Sequence, residues 1–295
     1  MTTPLQKTRN FFKENLDFTL PIEELRVAAE KMYAKLPPAD DIVFESVEVA
    51  GMEAEWSISP QAKEERVLLY LHGGGFVFGS PKSHRGETSE LGRQAKSRTL
   101  SIDYRLAPEH PFPAPIEDAV KAYVWLLKQG YKPENITIAG DSAGGNMTLS
   151  LLLTLRDSAY PLPAGAVVIS PWIDMGQSGE TYLTKDGIDP VNTTESITNM
   201  AQTYLNGVAP NSPYASPMYA DLRGLPPIFV LVGEAEVMLD DSLTFATKAA
   251  RAGVKVRLES WPQMIHNWPL WYSFLEEGKK ALEDAGTFLD ELYAN

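Results

Sequence analysis

The pentapeptide Gly140-Asp141-Ser142-Ala143-Gly144 sets a hydroxyl between two glycines, just after an aliphatic run ending at Ala139 and just before an amphipathic stretch. A serine on such a strand-to-helix bend needs unfavourable backbone angles, and side chains two positions away on either side would collide; glycine at 140 and 144 removes the collision. The bend also puts the Ser142 oxygen at a helix start, where unpaired N–H groups favour developing negative charge. That suits nucleophilic attack on a carbonyl, with the Ala143 amide donating to the tetrahedral oxygen. Asp141 is expected to support the bend rather than react.

A second donor set is expected in His72-Gly73-Gly74-Gly75-Phe76, which follows the run Val67-Leu68-Leu69-Tyr70-Leu71. Three glycines let backbone amides turn toward a ligand without obstruction, and one such donor is worth roughly 10²–10³ in turnover. Gly74 is the first choice, with Gly73 and Gly75 as close rivals; His72 is read as structural. A phosphate cradle is disfavoured, because no Lys-Ser or Lys-Thr follows the glycines and no G-x-G-x-x-G with a downstream acid is present.

The base follows by elimination. In a Ser, acid, His order only His266, of the four histidines, lies after Ser142. It falls in Gln263-Met264-Ile265-His266-Asn267-Trp268, where a loop could bring it to the serine. The orienting carboxylate should follow the run Ile228-Phe229-Val230-Leu231-Val232, and four acids compete there: Glu234, Glu236, Asp240 and Asp241. The two aspartates look suited to capping the next helix, which leaves Glu234 and Glu236 undecided by spacing.

Positioning such residues requires a sheet that delivers loops to one edge. Aliphatic runs at 42–49, 54–58, 66–71, 99–103, 136–139, 166–170, 228–232 and 254–259 predict eight strands. They alternate with helical periodicity at 22–36, 87–95, 116–128, 143–156, 240–252 and 270–292, and Gly130 and Gly253 are plausible helix stops. This is the pattern of a mostly parallel sheet with helices on both faces. Residues 1 to about 40 and roughly 173–225, with a helical piece at 196–205, do not fit it and are read as a small helical cap on one catalytic domain spanning 1–295. Phe11, Phe12, Phe18, Met200 and Tyr204 are expected to line an acyl pocket from above.

Composition narrows the function. With 44% apolar and 22% charged residues, the 295-residue chain can close a sizeable core. A net charge of -13 argues against a nucleic-acid partner and anionic membranes. The absence of cysteine rules out a thiol nucleophile and suits a reducing interior, so the cytoplasm is the expected location. Neither a secretory leader nor a stretch of roughly 20 apolar residues is seen. No histidine or cysteine cluster suggests a metal, and no cofactor is expected. A homodimer through an edge strand near 255–260 is possible.

Taken together, His72-Gly73-Gly74-Gly75, Asp103-Tyr104-Arg105-Leu106-Ala107-Pro108-Glu109, Gly140-Asp141-Ser142-Ala143-Gly144-Gly145-Asn146 and His266-Asn267-Trp268 resemble the hormone-sensitive-lipase-like (bacterial family IV) esterases of the α/β-hydrolase superfamily. The resemblance covers most of the chain. It implies an α/β-hydrolase fold with a helical cap and a serine carboxylesterase acting on short- to medium-chain acyl esters. Relatives usually open an Asp-Pro-Leu stretch with their acid. The matching position here is Glu236 in Glu236-Val237-Met238, so the chain departs at both acid and proline, and a subset of relatives with Glu is similar. The implied triad is Ser142, His266 and Glu236. The 103–109 stretch reads as scaffolding, with Arg105 pairing a nearby carboxylate. Two other readings are a ligand receptor, disfavoured because those relatives lack the histidine kept here, and a peptidase or true lipase.

Overall fold

The computed structural model describes residues 3–293. Its strands are β1 (Val43–Val49), β2 (Met52–Ile58), β3 (Lys63–Leu71), β4 (Ser97–Ile102), β5 (Ile136–Asp141), β6 (Gly165–Ile169), β7 (Ile228–Gly233) and β8 (Val256–Trp261). They form one sheet in the order β1-β2-β4-β3-β5-β6-β7-β8, in which β2 runs antiparallel to both neighbours and β3 to β8 are parallel. The expected α/β-hydrolase architecture, an eight-stranded and mostly parallel sheet flanked by helices, is the one found. The central strands β5, β6 and β7 are buried along their whole length, which is why they read as continuous apolar runs rather than alternating ones.

The helices are α1 (Pro4–Asn15), α2 (Ile22–Tyr33), α3 (Arg85–Gln94), α4 (Ala114–Lys128), α5 (Ala143–Asp157), α6 (Thr181–Thr184), α7 (Thr194–Leu205), α8 (Leu239–Arg251) and α9 (Glu276–Leu292). Side chains of β3 alternate across the sheet: Val67, Leu69 and Leu71 enter a core shared with α4, α5 and α8, while Leu68 and Tyr70 enter one shared with α3 and α9. Gly130 and Gly253 follow α4 and α8 with φ of 93° and 80°, the left-handed stop expected of them.

Two helices differ from the sequence reading. The 270–292 stretch is broken: a 3₁₀ turn at Trp268–Trp271 precedes α9, and Leu275 between them is extended. Gly278 then fits under the Trp268 carbonyl, where a Cβ would sit at 2.8 Å. Helix α1 was not foreseen, although Thr3 caps it by accepting from the Gln6 amide and Pro4 opens it.

The helices of the two segments read as a cap pack on opposite cores, while Val191 of the second segment joins the core that holds the first. Phe12 of α1 and Leu25, Ala29, Met32 and Tyr33 of α2 join the α3/α9 side, whereas Ile197, Ala201, Tyr204 and Leu205 of α7 join the α4/α5/α8 side. Met200 of α7 packs against both. The first two residues of the expected cap lie outside the described residues. The capping role expected of Asp240 and Asp241 is a correction. The N-cap of α8 is Met238, with no side-chain cap. Asp240 instead accepts from the Thr181 amide, and Asp241 from the amides of Ile173 and Asp174 and the Tyr182 hydroxyl.

Candidate active site

Ser142 stands between β5 and α5 with φ 53° and ψ -117°, the strained backbone the pentapeptide demands. A Cβ on Gly144 would lie 1.9 Å from the Leu71 carbonyl oxygen, and one on Gly140 2.4 Å from that of Gly144, so neither position tolerates a side chain. The Ser142 amide donates to Ile169 O at 2.8 Å, fixing the bend to β6. Ser142 is 9% exposed, and no hydrogen bond ties its hydroxyl to the backbone of α5.

Ser142 and His266 share the wall of one cavity with Gly74, Gly75, Phe12, Phe18, Met200, Trp172 and Val191. Its water-accessible volume is ≈ 40 Å³, and it opens to solvent. His266 Nδ1 meets Glu236 Oε2 at 2.9 Å, leaving Nε2 as the ring nitrogen available to the serine. Glu236 is fully buried. Its Oε1 accepts from Ser170 Oγ at 2.7 Å and from the Gly233 amide at 2.5 Å. Burial pushes the imidazole's pKa down, but the hydrogen bond and charge of Glu236, with Asp189 and Asp141 behind, outweigh it and leave His266 above its ordinary value.

The competing acids have other partners. Glu234 forms an ion pair with Lys185, and Asp241 joins α8 to the 173–182 segment. Burial is the main reason that Asp241 is pushed up to about 8.

The glycine loop needs one correction. The Gly73 amide donates to Asp141 Oδ1 at 2.9 Å, so it is not available to a substrate oxygen. Gly74 and Gly75, at φ 112° and 61°, take the backbone angles that favour glycine. Both border the cavity, and their amides have no acceptor among the described residues. Ala143 opens α5, so its amide has no partner within the helix. His72 is structural, as expected: it stacks on Tyr104 with centroids 4.2 Å apart, its Nδ1 meets Gly73 O at 2.8 Å, and burial pushes its pKa down to about 3.

The lining prediction divides. Phe12, Phe18 and Met200 border the cavity. Phe11 does not; one helical step of about 100° from Phe12 turns it onto the edge of Trp271, with centroids 4.8 Å apart. Tyr204 lies a turn beyond Met200 and stacks face to face on Phe76 at 3.7 Å, fully buried. Arg105 pairs with buried Asp118 through two nitrogens, each at 2.8 Å, and so fixes the 103–109 loop to α4. Arg26 of α2 donates to Val77 O and Ala107 O and grips Glu109; that contact holds the Glu109 carboxyl down to about 2.

Sequence reasoning missed Ser170, which supports Glu236, and the linking role of Asn267. Both sit beside recognised features, the end of β6 and His266, but nothing in their spacing says what they touch. No group of three or more His, Asp or Glu residues able to hold a metal occurs among the described residues. Nor is any helix there long and apolar enough to cross a membrane.

Residues 68–270 match the family described as having the alpha/beta hydrolase fold. An acetyl-hydrolase of Streptomyces hygroscopicus is 43% identical over 91% of this chain and 89% of its own length. An esterase of Acinetobacter venetianus is 34% identical over 91% and 88%. Among solved structures, an esterase from the bacterial hormone-sensitive lipase family superposes with a TM-score of 0.95 at 44% identity, covering 98% of each chain. An esterase whose crystal was soaked by p-nitrophenyl butyrate superposes at 0.94 with 44% identity over 99% of each chain.

Proposed function

We propose that this chain, which belongs to the α/β-hydrolase fold family and within it to the hormone-sensitive-lipase-like esterases, hydrolyses short- to medium-chain acyl esters through an acyl-enzyme on Ser142. The chain is a carboxylic ester hydrolase. The observation that carries the fuller reading is the cavity wall, which brings together the Ser142 bend, His266 and the amide-bearing glycines 74 and 75.

In the proposed mechanism Ser142 Oγ attacks the ester carbonyl while His266 Nε2 takes its proton. Glu236 holds Nδ1–H in place, fixing the tautomer with Nε2 unprotonated and steadying the imidazolium that forms. The tetrahedral oxygen rests on the amides of Gly74, Gly75 and Ala143. Its collapse expels the alcohol, which leaves with the proton from His266. Water then repeats the sequence on the acyl-enzyme, releasing the carboxylic acid and restoring Ser142.

Preference for short to medium chains is supported by the acetyl-hydrolase relative and by the relative soaked with p-nitrophenyl butyrate. The cap is proposed to comprise residues up to about 40 and 173–225, around one catalytic domain. Hydrolysis of p-nitrophenyl acetate, butyrate and octanoate by the parent and by Ser142→Ala tests the reading. Full activity in the variant removes it, and a rate that climbs through octanoate and at an oil interface favours a true lipase. A cytoplasmic location fits a chain without cysteine. A homodimer through the outer edge of β8, where the sheet ends, is a further proposal; light scattering in solution decides it.

A further inference from the structure

Beneath the glycine loop lies a buried polar cluster that the proposed mechanism does not use. Asn267, next to His266, has φ 48° and ψ 47°, a left-handed conformation that asparagine tolerates better than most residues. Its backbone amide donates to Ser170 Oγ at 3.0 Å, and Ser170 Oγ donates to Glu236 Oε1 at 2.7 Å. Its side-chain amide donates to Asp141 Oδ2 at 3.0 Å and to Glu87 Oε2 of α3 at 3.1 Å. Asp141 in turn holds the Gly73 amide and the Tyr70 hydroxyl, each at 2.9 Å. One residue thus joins the carboxylate arm of the triad to the loop that carries Gly74 and Gly75.

We infer that Asn267 is a positioning residue that holds the His266 loop in register with the glycine loop, and that Glu87 is the partner that fixes its side-chain amide. The inference rests on the Ser142, His266 and Glu236 reading. Glu87 is wholly buried, and its Oε1 has no hydrogen-bond partner among the described residues, an arrangement a neutral carboxyl bears far better than a carboxylate. Burial, and then the nearby charge of Asp141, push its pKa well above the ordinary range, in agreement with that geometry. A neutral Glu87 lets the single amide bridge two acids without placing two negative charges together. The effect on rate follows from placement, since a displacement of about 1 Å between nucleophile and base can cost on the order of 10²-fold.

The test is steady-state kinetics on p-nitrophenyl butyrate with Asn267→Gly, Glu87→Ala, Glu87→Gln and Asn267→Gly/Glu87→Ala, with His266→Ala alongside. Glycine keeps the backbone angle and deletes the amide. Asn267→Gly is expected to lower kcat about tenfold or more with KM within about threefold, the signature of lost placement rather than lost binding. Glu87→Ala should also lower kcat, Glu87→Gln should restore most of it, and the double variant should fall no further than the worse single one, because both changes cut the same link. A folded Asn267→Gly with kcat within about twofold of the parent, or losses that multiply in the double variant, overturns the inference. If Asn267→Gly does not fold, the Glu87 pair decides: no loss in Glu87→Ala, or no rescue by Glu87→Gln, overturns it. Retained activity in His266→Ala would instead strike the underlying triad reading.

Discussion

His266 Nδ1 and Glu236 Oε2 meet at 2.9 Å with the carboxylate wholly out of solvent, and the other oxygen of Glu236 takes hydrogens from Ser170 and Gly233. A buried acid with both oxygens engaged is held in one orientation, so it can fix the imidazole tautomer rather than merely sit near it.

Glu236→Gln is therefore expected to lower kcat by roughly 10²- to 10⁴-fold, because the amide can hold the ring in the wrong tautomer. Glu234→Gln and Asp241→Asn should stay within about threefold of the parent, since their contacts are with Lys185 and the 173–182 segment. Stopped-flow or steady-state rates on p-nitrophenyl butyrate check this. A large loss in Asp241→Asn with none in Glu236→Gln would reassign the acid.

The pH dependence has a definite sign. The base must be unprotonated to accept the Ser142 proton, and Glu236 raises the His266 pKa above its ordinary 6.5 despite burial. The rising limb of kcat/KM should then have its midpoint above about 6.5. In Glu236→Gln the same limb, measured on the residual activity, should move to lower pH. For stability the direction is opposite: the Glu236 contact stabilises the fold fully below about 6.5 and is lost as pH rises through the folded pKa of His266.

Asp241 provides an independent linkage test away from the proposed chemistry. Its carboxyl, pushed up to about 8 chiefly by burial, binds a proton more tightly in the folded chain than in the unfolded one. Its contribution is therefore fully present below about pH 4 and is lost as pH rises toward 8. Asp241→Asn cannot ionise, so the Tm difference, variant minus parent, should become more positive from pH 4 to pH 8. A difference independent of pH contradicts the assignment.

The strand alternation and the serine bend were legible in the sequence because each rests on a local constraint, and the histidine was singled out because only one follows Ser142 in the chain. Gly144 is an example: a Cβ 1.9 Å from Leu71 O permits no other residue. What stayed illegible depends on docking. Spacing did not separate Glu234 from Glu236, because the turn after β7 decides which of them points inward; only the family resemblance favoured Glu236. Phe11 and Phe12 are neighbours in sequence and both pack edge-on against Trp271, yet only Phe12 borders the cavity. Asp240 and Asp241 had the local form of helix caps, and contacts with residues 173–182 claimed them instead.

Phe12, Phe18 and Met200 border the cavity that Ser142 and His266 share. Met200 packs against the glycine loop: a Cβ on Gly75 would lie 2.2 Å from its sulfur. Met200→Ala should therefore move the preferred acyl chain to greater length. A series from acetate to dodecanoate measures it, and an unchanged optimum would place the length limit elsewhere.

The central claim is that Ser142 itself carries the acyl group. Intact mass and peptide mapping after reaction with a fluorophosphonate, which mimics the tetrahedral state, test it directly. One phosphonyl adduct per chain is expected, on the peptide containing Ser142, with activity lost in step and no adduct in Ser142→Ala. Labelling at another residue with Ser142 untouched, or complete inactivation of a Ser142→Ala protein that still turns over ester, would contradict it.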